Sequence, residues 1–363
     1  MNTKLLKYLC DTPAISGHED RLIKYVRDYC KKTADDVHVD KLGNVTATYK
    51  GTDKKAGSIA FFAHLDEIGL IVKKVEDDGY LRVERLGGVP ERTLVALTVN
   101  VHTLDDKKYY PGVFGTVSHH ITPADKKYQV ATTSELYIDF GAHSKQEVLD
   151  MGVDVGSVVT YGNSYMELND MVYSKSLDDR MAVYNLLEVA DFLAKKRQKA
   201  TVHLIFTVQE EFNIRSGTPT FNRLQPDCAI CVDITPSCDT PETKGRFDVK
   251  AGRGPAVMYM NFHGRGTLGG LLCSPKLNQF MLDVAKAAKI PTQKEVIIGV
   301  ITDDAFTQHV GTEGIPMSHI SIPLRYTHSP VEAAAKKDIE LTSKFLIEIA
   351  KKYAANKVDL SRG

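Results

Sequence analysis

The sequence has no excess of charge of either sign. Among its 363 residues, lysine and arginine together number 46, and aspartate and glutamate together also number 46. A protein whose main surface binds nucleic acid needs a basic excess to neutralise phosphates, so the composition argues against that class of partner. The hydrophobic fraction of 43% with 25% charged residues is typical of a well-packed globular protein.

Long apolar runs are also missing. No stretch approaches the roughly 18 consecutive apolar residues of a membrane-spanning helix, and the first twenty residues lack the apolar core of a signal peptide. We therefore expect a cytoplasmic protein with no membrane partner.

Cysteine is sparse and scattered, with six residues in the whole chain. In a chain of this length such cysteines indicate buried thiols rather than a disulfide framework. Cys228 and Cys231 form a C-x-x-C within the run DCAICVD, which reads as a buried strand. Residues three apart in a strand point to opposite faces, so a zinc or redox role for this pair is disfavoured.

Several motifs of other enzyme classes are absent or incomplete. The sequence contains no His-Glu-x-x-His, no G-x-S-x-G and no P-loop. Residues 264–269 match G-x-G-x-x-G, but the expected acidic partner is missing, since Asp283 comes too soon and lies in a predicted helix. We interpret these glycines as a loop.

Helix and strand patterns alternate at both ends of the chain. Ser16 is a candidate cap for a helix from about His18, and apolar strands are predicted at 44–50 and 58–63. The alternation resumes with an amphipathic helix at 181–196. This predicts an α/β fold with a central mixed sheet flanked by helices.

The middle of the chain has a different pattern of predicted secondary structure. Short β-rich pieces run from about residue 69 to 161, beginning with a hairpin around Asp78-Gly79. We predict an inserted small β-barrel domain at 69–161, within a main domain made of 1–68 and 162–363.

Acids and imidazoles follow the predicted strands. They are His64, Asp66 and Glu67, then Glu210 and Glu211, then Asp233 and His328, with Asp178 and Asp179 ahead of the helix at 181. Each alone is weak evidence, because a lone histidine is usually an ordinary surface residue and paired acids usually start a solvated helix. Five segments, however, are expected to bring such groups to the same edge of the sheet. Their carboxylates would repel one another there, so we expect divalent cations between them.

The motifs AHLDEIG, KSLDDR, VQEE, VDITPSCDTP and RYTHSPVE, in this order, resemble those of the M42 metallo-aminopeptidases. That family includes tetrahedral and glutamyl aminopeptidases, once called endoglucanases. The resemblance implies a zinc-exopeptidase-like fold and a two-metal aminopeptidase that removes N-terminal residues from short peptides. It also implies homo-oligomers, from dimers to tetrahedral dodecamers, with the insertion serving dimerisation and substrate access.

The resemblance also implies a ligand for each position of a metal pair. Asp178 would bridge two divalent ions, His64 and Asp233 would complete the first site, and Glu211 and His328 the second. Zinc is the default ion for such ligands, with cobalt or manganese as alternatives. A metal-bound hydroxide would be the nucleophile.

Three neighbouring acids receive other roles by the same resemblance. Glu210 would be the general base, and Asp66 would hydrogen-bond the other ring nitrogen of His64. Asp179 is either a metal-site residue or a plain acid at a helix start. The family further implies a strained, cis peptide bond between Asp178 and Asp179.

Two segments depart from the family pattern. FNIRSG places Asn213 and Ser216 beside the site, and VITDDAF adds Asp304 and Phe306. The predicted ligands and base are intact, so we expect catalysis, while a peptide-binding relative with impaired catalysis and a hydrolase of another small amide remain alternatives. The sequence does not indicate the preferred N-terminal residue. The pair His119-His120 is interpreted as surface or subunit contact.

Overall fold

A large mixed sheet and a closed barrel organise the chain. The structure is a computed structural model and describes residues 1–264, 269–354 and 358–361. The first strands are β1 Asp36–Val39, β2 Val45–Tyr49 and β3 Ser58–His64. The next six are β4 Gly69–Val75, β5 Leu81–Leu86, β6 Thr98–His102, β7 Tyr109–Phe114, β8 Ile138–Asp139 and β9 Val158–Tyr161. The last nine are β10 Met166–Leu168, β11 Met171–Ser174, β12 Thr201–Thr207, β13 Cys228–Pro236, β14 Ala256–His263, β15 Gly269–Leu272, β16 Gln293–Ile298, β17 Met317–Arg325 and β18 Glu332–Ala335.

The helices alternate with these strands. They are α1 Thr3–Asp11, α2 Asp20–Cys30, α3 Lys145–Asp150, α4 Leu177–Lys195, α5 Glu210–Asn213, α6 Thr218–Leu224, α7 Pro275–Ala287, α8 Asp304–Thr307 and α9 Lys336–Lys352. Short 3₁₀ turns lie at Lys54–Ala56 and Glu91–Thr93. None of the helices in the described part of the chain is long and apolar enough to cross a membrane.

The large sheet has twelve strands and a parallel centre. Its order is β1-β2-β12-β3-β13-β17-β18-β11-β10, and β14, which pairs with β17, carries β15 and β16. The four central strands β12, β3, β13 and β17 run parallel. Their almost uniformly buried residues fit strands covered on both faces, and their carboxyl ends meet at one edge. The predicted mixed sheet with flanking helices is confirmed.

Two hydrophobic cores cover the faces of this sheet. Buried side chains of α1, α2, α4, α7 and α9 form the larger core, and α6 with β14 and β15 contributes to the smaller one. All six cysteines are free and buried. Cys228 belongs to the larger core and Cys231 to the smaller, so the two point to opposite faces of β13 as predicted.

Helix α4 differs from the amphipathic helix predicted at 181–196. It begins at Leu177 and is buried on nearly every side up to Leu193. The polar Asn185 of this helix is fully buried. Its amide donates to the carbonyl oxygen of Ile339 at 2.8 Å and to the hydroxyl of Ser343 at 2.7 Å. The neighbouring helix α9 therefore satisfies the amide of this buried side chain.

The predicted role of Ser16 as a helix cap is wrong. Helix α2 begins at Asp20, and the residue at its cap position is Glu19. The Ser16 hydroxyl instead donates to a carboxylate oxygen of Asp66 at 2.6 Å. A remote acid therefore takes the hydroxyl that local sequence assigned to the helix.

The strands between Gly69 and Tyr161 form the predicted barrel. Their closed order is β4-β5-β8-β7-β6-β9, around a separate hydrophobic core. The hairpin at Asp78-Gly79 is confirmed, and Gly79 has the positive φ of +90° that such a turn needs. His119 and His120 are exposed in the long loop after β7. In the G-x-G-x-x-G stretch, residues 265–268 lie outside the described residues.

Candidate metal centre

The parallel strands bring the five predicted ligands to one edge of the sheet. His64 ends β3, Glu211 lies in α5 after β12, and His328 follows β17. Asp178 lies at the start of α4. Asp233 lies inside β13, because this strand continues to Pro236 rather than ending at the aspartate.

Asp178 faces two different imidazoles. Its Oδ1 lies 3.3 Å from Nε2 of His64, and its Oδ2 lies 3.5 Å from Nε2 of His328. Nε2 of His328 is also 3.4 Å from Oε2 of Glu211. Two ligand atoms that each lie about 2.1 Å from a tetrahedral zinc are themselves about 3.4 Å apart. The observed separations therefore match the spacing of ligands around a shared cation.

A second group of donors adjoins the first. Ligand atoms of His64, Asp179 and Asp233 lie within 4.8 Å of one another, and all three residues are buried. Asp179 is fully buried, so it is not the solvated helix-start acid that was one of its two interpretations. Its Oδ2 accepts from the backbone N–H of His64 at 3.3 Å, and its Oδ1 has no hydrogen-bond partner among the described residues. The metal-site interpretation of Asp179 is favoured by this arrangement.

The backbone around the centre adopts unusual conformations. Ser176, Gln209 and His328 have φ values of +59°, +56° and +65°, which non-glycine residues rarely adopt. Such conformations cluster at functional sites, where the surrounding structure enforces them. The peptide bond between Asp178 and Asp179 is cis, as the family resemblance implied.

Asp66 holds the two glutamates in place. Its carboxylate accepts from the backbone N–H groups of Glu210 at 2.9 Å and Glu211 at 3.1 Å. The predicted contact with His64 is present in a different form. Nδ1 of His64 lies 3.2 Å from the backbone oxygen of Asp66 and 3.4 Å from its carboxylate. Asp66 therefore positions all three of its neighbours, with its carboxylate directed mainly at the glutamates.

Two positioning groups were missed by sequence reasoning. The carboxylate of Glu332 accepts from the backbone N–H groups of Asp178 at 3.1 Å and His328 at 2.7 Å. The carbonyl oxygen of Gly88 accepts from Nδ1 of His328 at 3.0 Å. Glu332 stands in the motif RYTHSPVE, which was the available signal for it. Gly88 lies after β5, and no motif indicated it.

A buried ion-pair network supports the segment that carries Asp178. Glu67 lies 2.6 Å from Nζ of Lys175 and 3.5 Å from the guanidinium of Arg180, and all three side chains are almost fully buried. The Ser176 hydroxyl also donates to Glu67. Against the effect of burial, the two cations hold the pKa of Glu67 below its usual value. Lys175 and Arg180 therefore neutralise Glu67, which follows Asp66 in the sequence, rather than the carboxylates of the candidate metal centre.

The carboxyl groups of the centre have strongly perturbed pKa values. Burial raises the pKa of Glu211 to about 7 and that of Asp233 to about 6. Burial also raises the pKa of Glu210 well above its usual value. Burial acts on Asp178 in the same direction, but hydrogen bonds from His328 and His64 outweigh it and lower its pKa. In the protein without cations, protons thus reduce the repulsion among these acids.

The two departures from the family pattern contact each other. The Arg215 guanidinium of FNIRSG stacks 3.9 Å from the ring centroid of Phe306 in VITDDAF. In the same segment, Oδ1 of Asn213 accepts two hydrogen bonds. One comes from the backbone N–H of Arg215 at 2.9 Å, and the other from the hydroxyl of Ser216 at 3.3 Å. The stacking of Arg215 on Phe306 therefore joins the two departing segments, one of which directly follows Glu211 in the sequence.

Comparisons with known proteins agree with this architecture. The family model described as M42 glutamyl aminopeptidase matches residues 43–345. The lysyl aminopeptidase of Pyrococcus furiosus is 33% identical over 344 residues, which cover 94% of each chain.

Two solved structures share the fold over nearly the whole chain. An aminopeptidase from the archaeon Desulfurococcus kamchatkensis has a TM-score of 0.92 at 34% identity, covering 99% of this chain and 97% of its own. The TET1 peptidase of Pyrococcus horikoshii, which can assemble into a tetrahedron or a large octahedral shell, has a TM-score of 0.84 at 29% identity and covers 96% and 99%. The chain belongs to the M42 peptidase family and is an aminopeptidase.

Proposed function

We propose that the protein uses a pair of divalent cations to remove N-terminal residues from short peptides. One observation carries the proposal, namely that the two oxygens of Asp178 face two different imidazoles at 3.3 and 3.5 Å. A carboxylate that offers one oxygen to each of two ligand sets has the arrangement of a bridging ligand. Both separations are longer than those of strong charge-assisted hydrogen bonds and suit ligand atoms on either side of a cation.

The donor set fits such a pair. His64, Asp178 and Asp233 would hold one ion, and Asp178, Glu211 and His328 the other. Imidazole and carboxylate suit zinc, with cobalt or manganese as alternatives. When bound, the cations would acidify a water and polarise the scissile carbonyl. The orphaned Oδ1 of Asp179 supports a cation close to His64, because a buried carboxylate oxygen without a partner is costly.

Glu210 is proposed as the general base. Its side chain is buried, and its backbone N–H is fixed by Asp66 beside the predicted ligand Glu211. It would take a proton from the attacking water and deliver it to the departing amine. Burial raises the pKa of this carboxyl, which makes its carboxylate a stronger base.

The inserted barrel is proposed to serve dimerisation and substrate access. The main domain would comprise residues 1–68 and 162–363, and the inserted domain residues 69–161. Assembly of the TET1 neighbour into shells supports a homo-oligomer for this chain. A closed shell would admit only short peptides. The cytoplasm remains the proposed location.

The test is a substrate panel on the full-length protein reconstituted with Zn²⁺, Co²⁺ or Mn²⁺. Free amino acids should be released from short peptides with free N-termini, and not from acetylated peptides or acyl-amino acids. Glu210→Gln should lower the rate by about 10²–10⁴-fold while the bound metal, measured by elemental analysis, is retained. Glu313→Gln, at an exposed position, is the matched control. Equal activity of Glu210→Gln and the wild type would refute the assigned base, and hydrolysis of acylated substrates alone would favour another amide as substrate.

A further inference from the structure

Tyr161 is a buried polar residue of the barrel that the proposed reaction does not use. It is the last residue of β9 and is 2% exposed. Its hydroxyl has no hydrogen-bond partner among the described residues. The neighbouring hydroxyl of Thr93 donates instead to the carbonyl oxygen of Pro90 at 2.8 Å. A buried hydroxyl without a partner is costly, so this one indicates a group that binds next to it.

The Tyr161 side chain lines a small cavity beside the candidate metal centre. Three of the predicted ligands, Asp178, Glu211 and His328, line the same cavity. Its volume is about 10 Å³ for the centre of a water-sized group, which is about the size of a single water site. The remaining polar residues around it are Glu67, Ser176, Ser329 and Glu332. The barrel and the metal centre therefore share one polar cavity.

The hydroxyl of Tyr161 is a hydrogen-bond donor directed at this cavity. Burial raises the pKa of the phenol, although the Thr93 hydroxyl opposes the shift. Three carboxylates raise this pKa further, namely those of Glu332, Glu211 and Glu67. All three acids line the cavity, so the hydroxyl faces the cavity rather than the core of the barrel. Because the phenol keeps its proton, it can donate to an oxygen acceptor there.

Glu211 is the acceptor left open among these three acids. Both oxygens of Glu332 accept from backbone N–H groups. In Glu67, one oxygen accepts from a backbone N–H and the other from the Lys175 ammonium. The carboxylate of Glu211 has no hydrogen-bond donor among the described residues, and its Oε2 lies 3.4 Å from Nε2 of His328. A donor and a free acceptor therefore face the same cavity.

We propose that Tyr161 is a positioning residue for the second ion of the metal pair, and that its hydroxyl donates through one buried water to the carboxylate of Glu211. The inference rests on the proposed function, in which Asp178, Glu211 and His328 hold that ion. Tyr161 and Glu211 make no direct hydrogen bond, and the cavity that they share takes a single water. Such bridging waters are nearly as favourable as direct hydrogen bonds.

The water bridge would fix which oxygen of Glu211 faces the ion. With the other oxygen held on the Tyr161 side, Oε2 stays directed at the position that it shares with Nε2 of His328. Without the hydroxyl, the carboxylate is free to rotate away from this position. Loss of an orienting partner of a metal ligand typically costs about 10–100-fold in metal affinity. The first ion, predicted at His64 and Asp233, should be unaffected.

Tyr161→Phe tests the proposal, because it removes the hydroxyl and adds no atom. Metal-free full-length protein is titrated with Co²⁺ by calorimetry, and elemental analysis counts the bound ions. The wild type should bind a pair of ions per chain. Tyr161→Phe should bind one of the pair at least about tenfold more weakly and the other with unchanged affinity.

Rescue by metal separates a positioning role from a contact with the peptide. At limiting Co²⁺ the hydrolysis of a dipeptide by Tyr161→Phe should be slower than that by the wild type. At saturating Co²⁺ its kcat and KM should return to within about twofold of the wild-type values, since the second ion is then bound. A raised KM at saturating Co²⁺ with unchanged metal affinity would show that the hydroxyl contacts the peptide, which overturns the proposal.

Two further variants serve as controls. Tyr110→Phe removes another phenol hydroxyl of the barrel, which donates to the carbonyl oxygen of Met151 at 3.2 Å, and Tyr110 does not line the cavity. Thr93→Val removes the hydroxyl that neighbours Tyr161. Both variants should keep both metal affinities. A loss in Thr93→Val equal to that in Tyr161→Phe would show that Tyr161 acts through Thr93, and an equal loss in Tyr110→Phe would show a general effect on the barrel. Either result overturns the proposal.

Failure of this inference is distinguishable from failure of the proposed function. If the wild type binds a pair of ions and Tyr161→Phe binds both with unchanged affinity, the positioning role is wrong and the metal pair stands. If the saturated wild type does not bind a pair, the proposed function fails, and this inference fails with it.

Discussion

Nδ1 of His328 donates to the backbone carbonyl oxygen of Gly88 at 3.0 Å. The glycine lies just after β5 of the barrel, whereas His328 follows β17 of the large sheet. This bond fixes the tautomer of His328 and leaves Nε2 directed towards Asp178 and Glu211. The barrel therefore helps to support the proposed metal centre.

We predict that Gly88→Ala weakens metal binding. A Cβ at this position would lie 2.7 Å from Nδ1 of His328, so the imidazole must move. Loss of an orienting contact to a metal-binding histidine typically costs about 10–100-fold in metal affinity or activity. Isothermal titration with Zn²⁺ and the rate of amino acid release measure the effect. Arg92→Ala, an exposed substitution in the same barrel segment, is the control. Unchanged zinc affinity in Gly88→Ala would contradict the role of this contact.

A second prediction concerns Asp66, whose carboxylate accepts from the backbone N–H groups of Glu210 and Glu211. In Asp66→Asn, one of the two carboxylate oxygens is replaced by an NH₂ group. This group would face a backbone N–H of Glu210 or Glu211, so one hydrogen bond is lost. Activity should fall about 10–100-fold, with a smaller fall in Ser16→Ala, which removes only one hydroxyl donor to the same carboxylate. The measurement is kcat and KM on one dipeptide. Equal effects of the two substitutions would show that the hydroxyl alone matters.

Removal of metal should destabilise the protein. The buried acids of the centre repel one another, and burial raises the pKa values of Glu211 and Asp233. An ion at 100 times its Kd stabilises the folded state by about 2.7 kcal/mol, so EDTA should lower the unfolding temperature by several degrees.

Glu210→Gln provides the matched variant for this experiment. It removes one buried acid without removing a predicted ligand, so its metal-free form should unfold at a higher temperature than the metal-free wild type. Differential scanning fluorimetry with and without EDTA measures both. A Glu210→Gln protein that is less stable than the wild type without metal would argue against charge repulsion as the cause.

The sequence predicted the sheet and the grouping of the acids for one physical reason. Apolar runs long enough to be buried on both faces identify parallel central strands, and the carboxyl ends of such strands meet. His64 could therefore be expected near Asp233 without any knowledge of coordinates. The family motifs then supplied the predicted roles that residue type alone left open, such as the proposed bridging role of Asp178.

The remaining contacts join segments that no local pattern relates. The bond between His328 and Gly88 depends on how the barrel sits against the sheet, and sequence periodicity carries no information about that. Serine is a common helix-capping residue, yet the hydroxyl of Ser16 donates to the distant Asp66. Asn185 interrupts an apolar pattern, yet α9 satisfies it. Each of these contacts is set by the tertiary structure, and for Ser16 it replaces the predicted local role.

The last prediction concerns stability at acid pH and rests on His203. This histidine of β12 is buried, and its Nδ1 lies 3.0 Å from the hydroxyl of Thr48. Burial, with a further contribution from Arg223, lowers its pKa from 6.5 to about 4. Below pH 6.5 the unfolded chain binds a proton that the folded protein does not, so the free energy of unfolding falls as the pH decreases towards 4. The total loss is about 3 kcal/mol, at about 1.4 kcal/mol for each unit of pKa shift.

His203→Gln should remove this contribution, since glutamine is neutral at every pH and can still contact Thr48. The free energy of unfolding, measured by urea denaturation at pH 7 and pH 4.5, should therefore fall less in the variant than in the wild type, by about 2 kcal/mol. Comparing the two proteins cancels the titration of all other groups. His38→Gln, which replaces an exposed histidine of β1, is the control and should follow the wild-type profile. If His203→Gln loses as much stability on acidification as the wild type, His203 is not the residue that resists protonation in the folded protein.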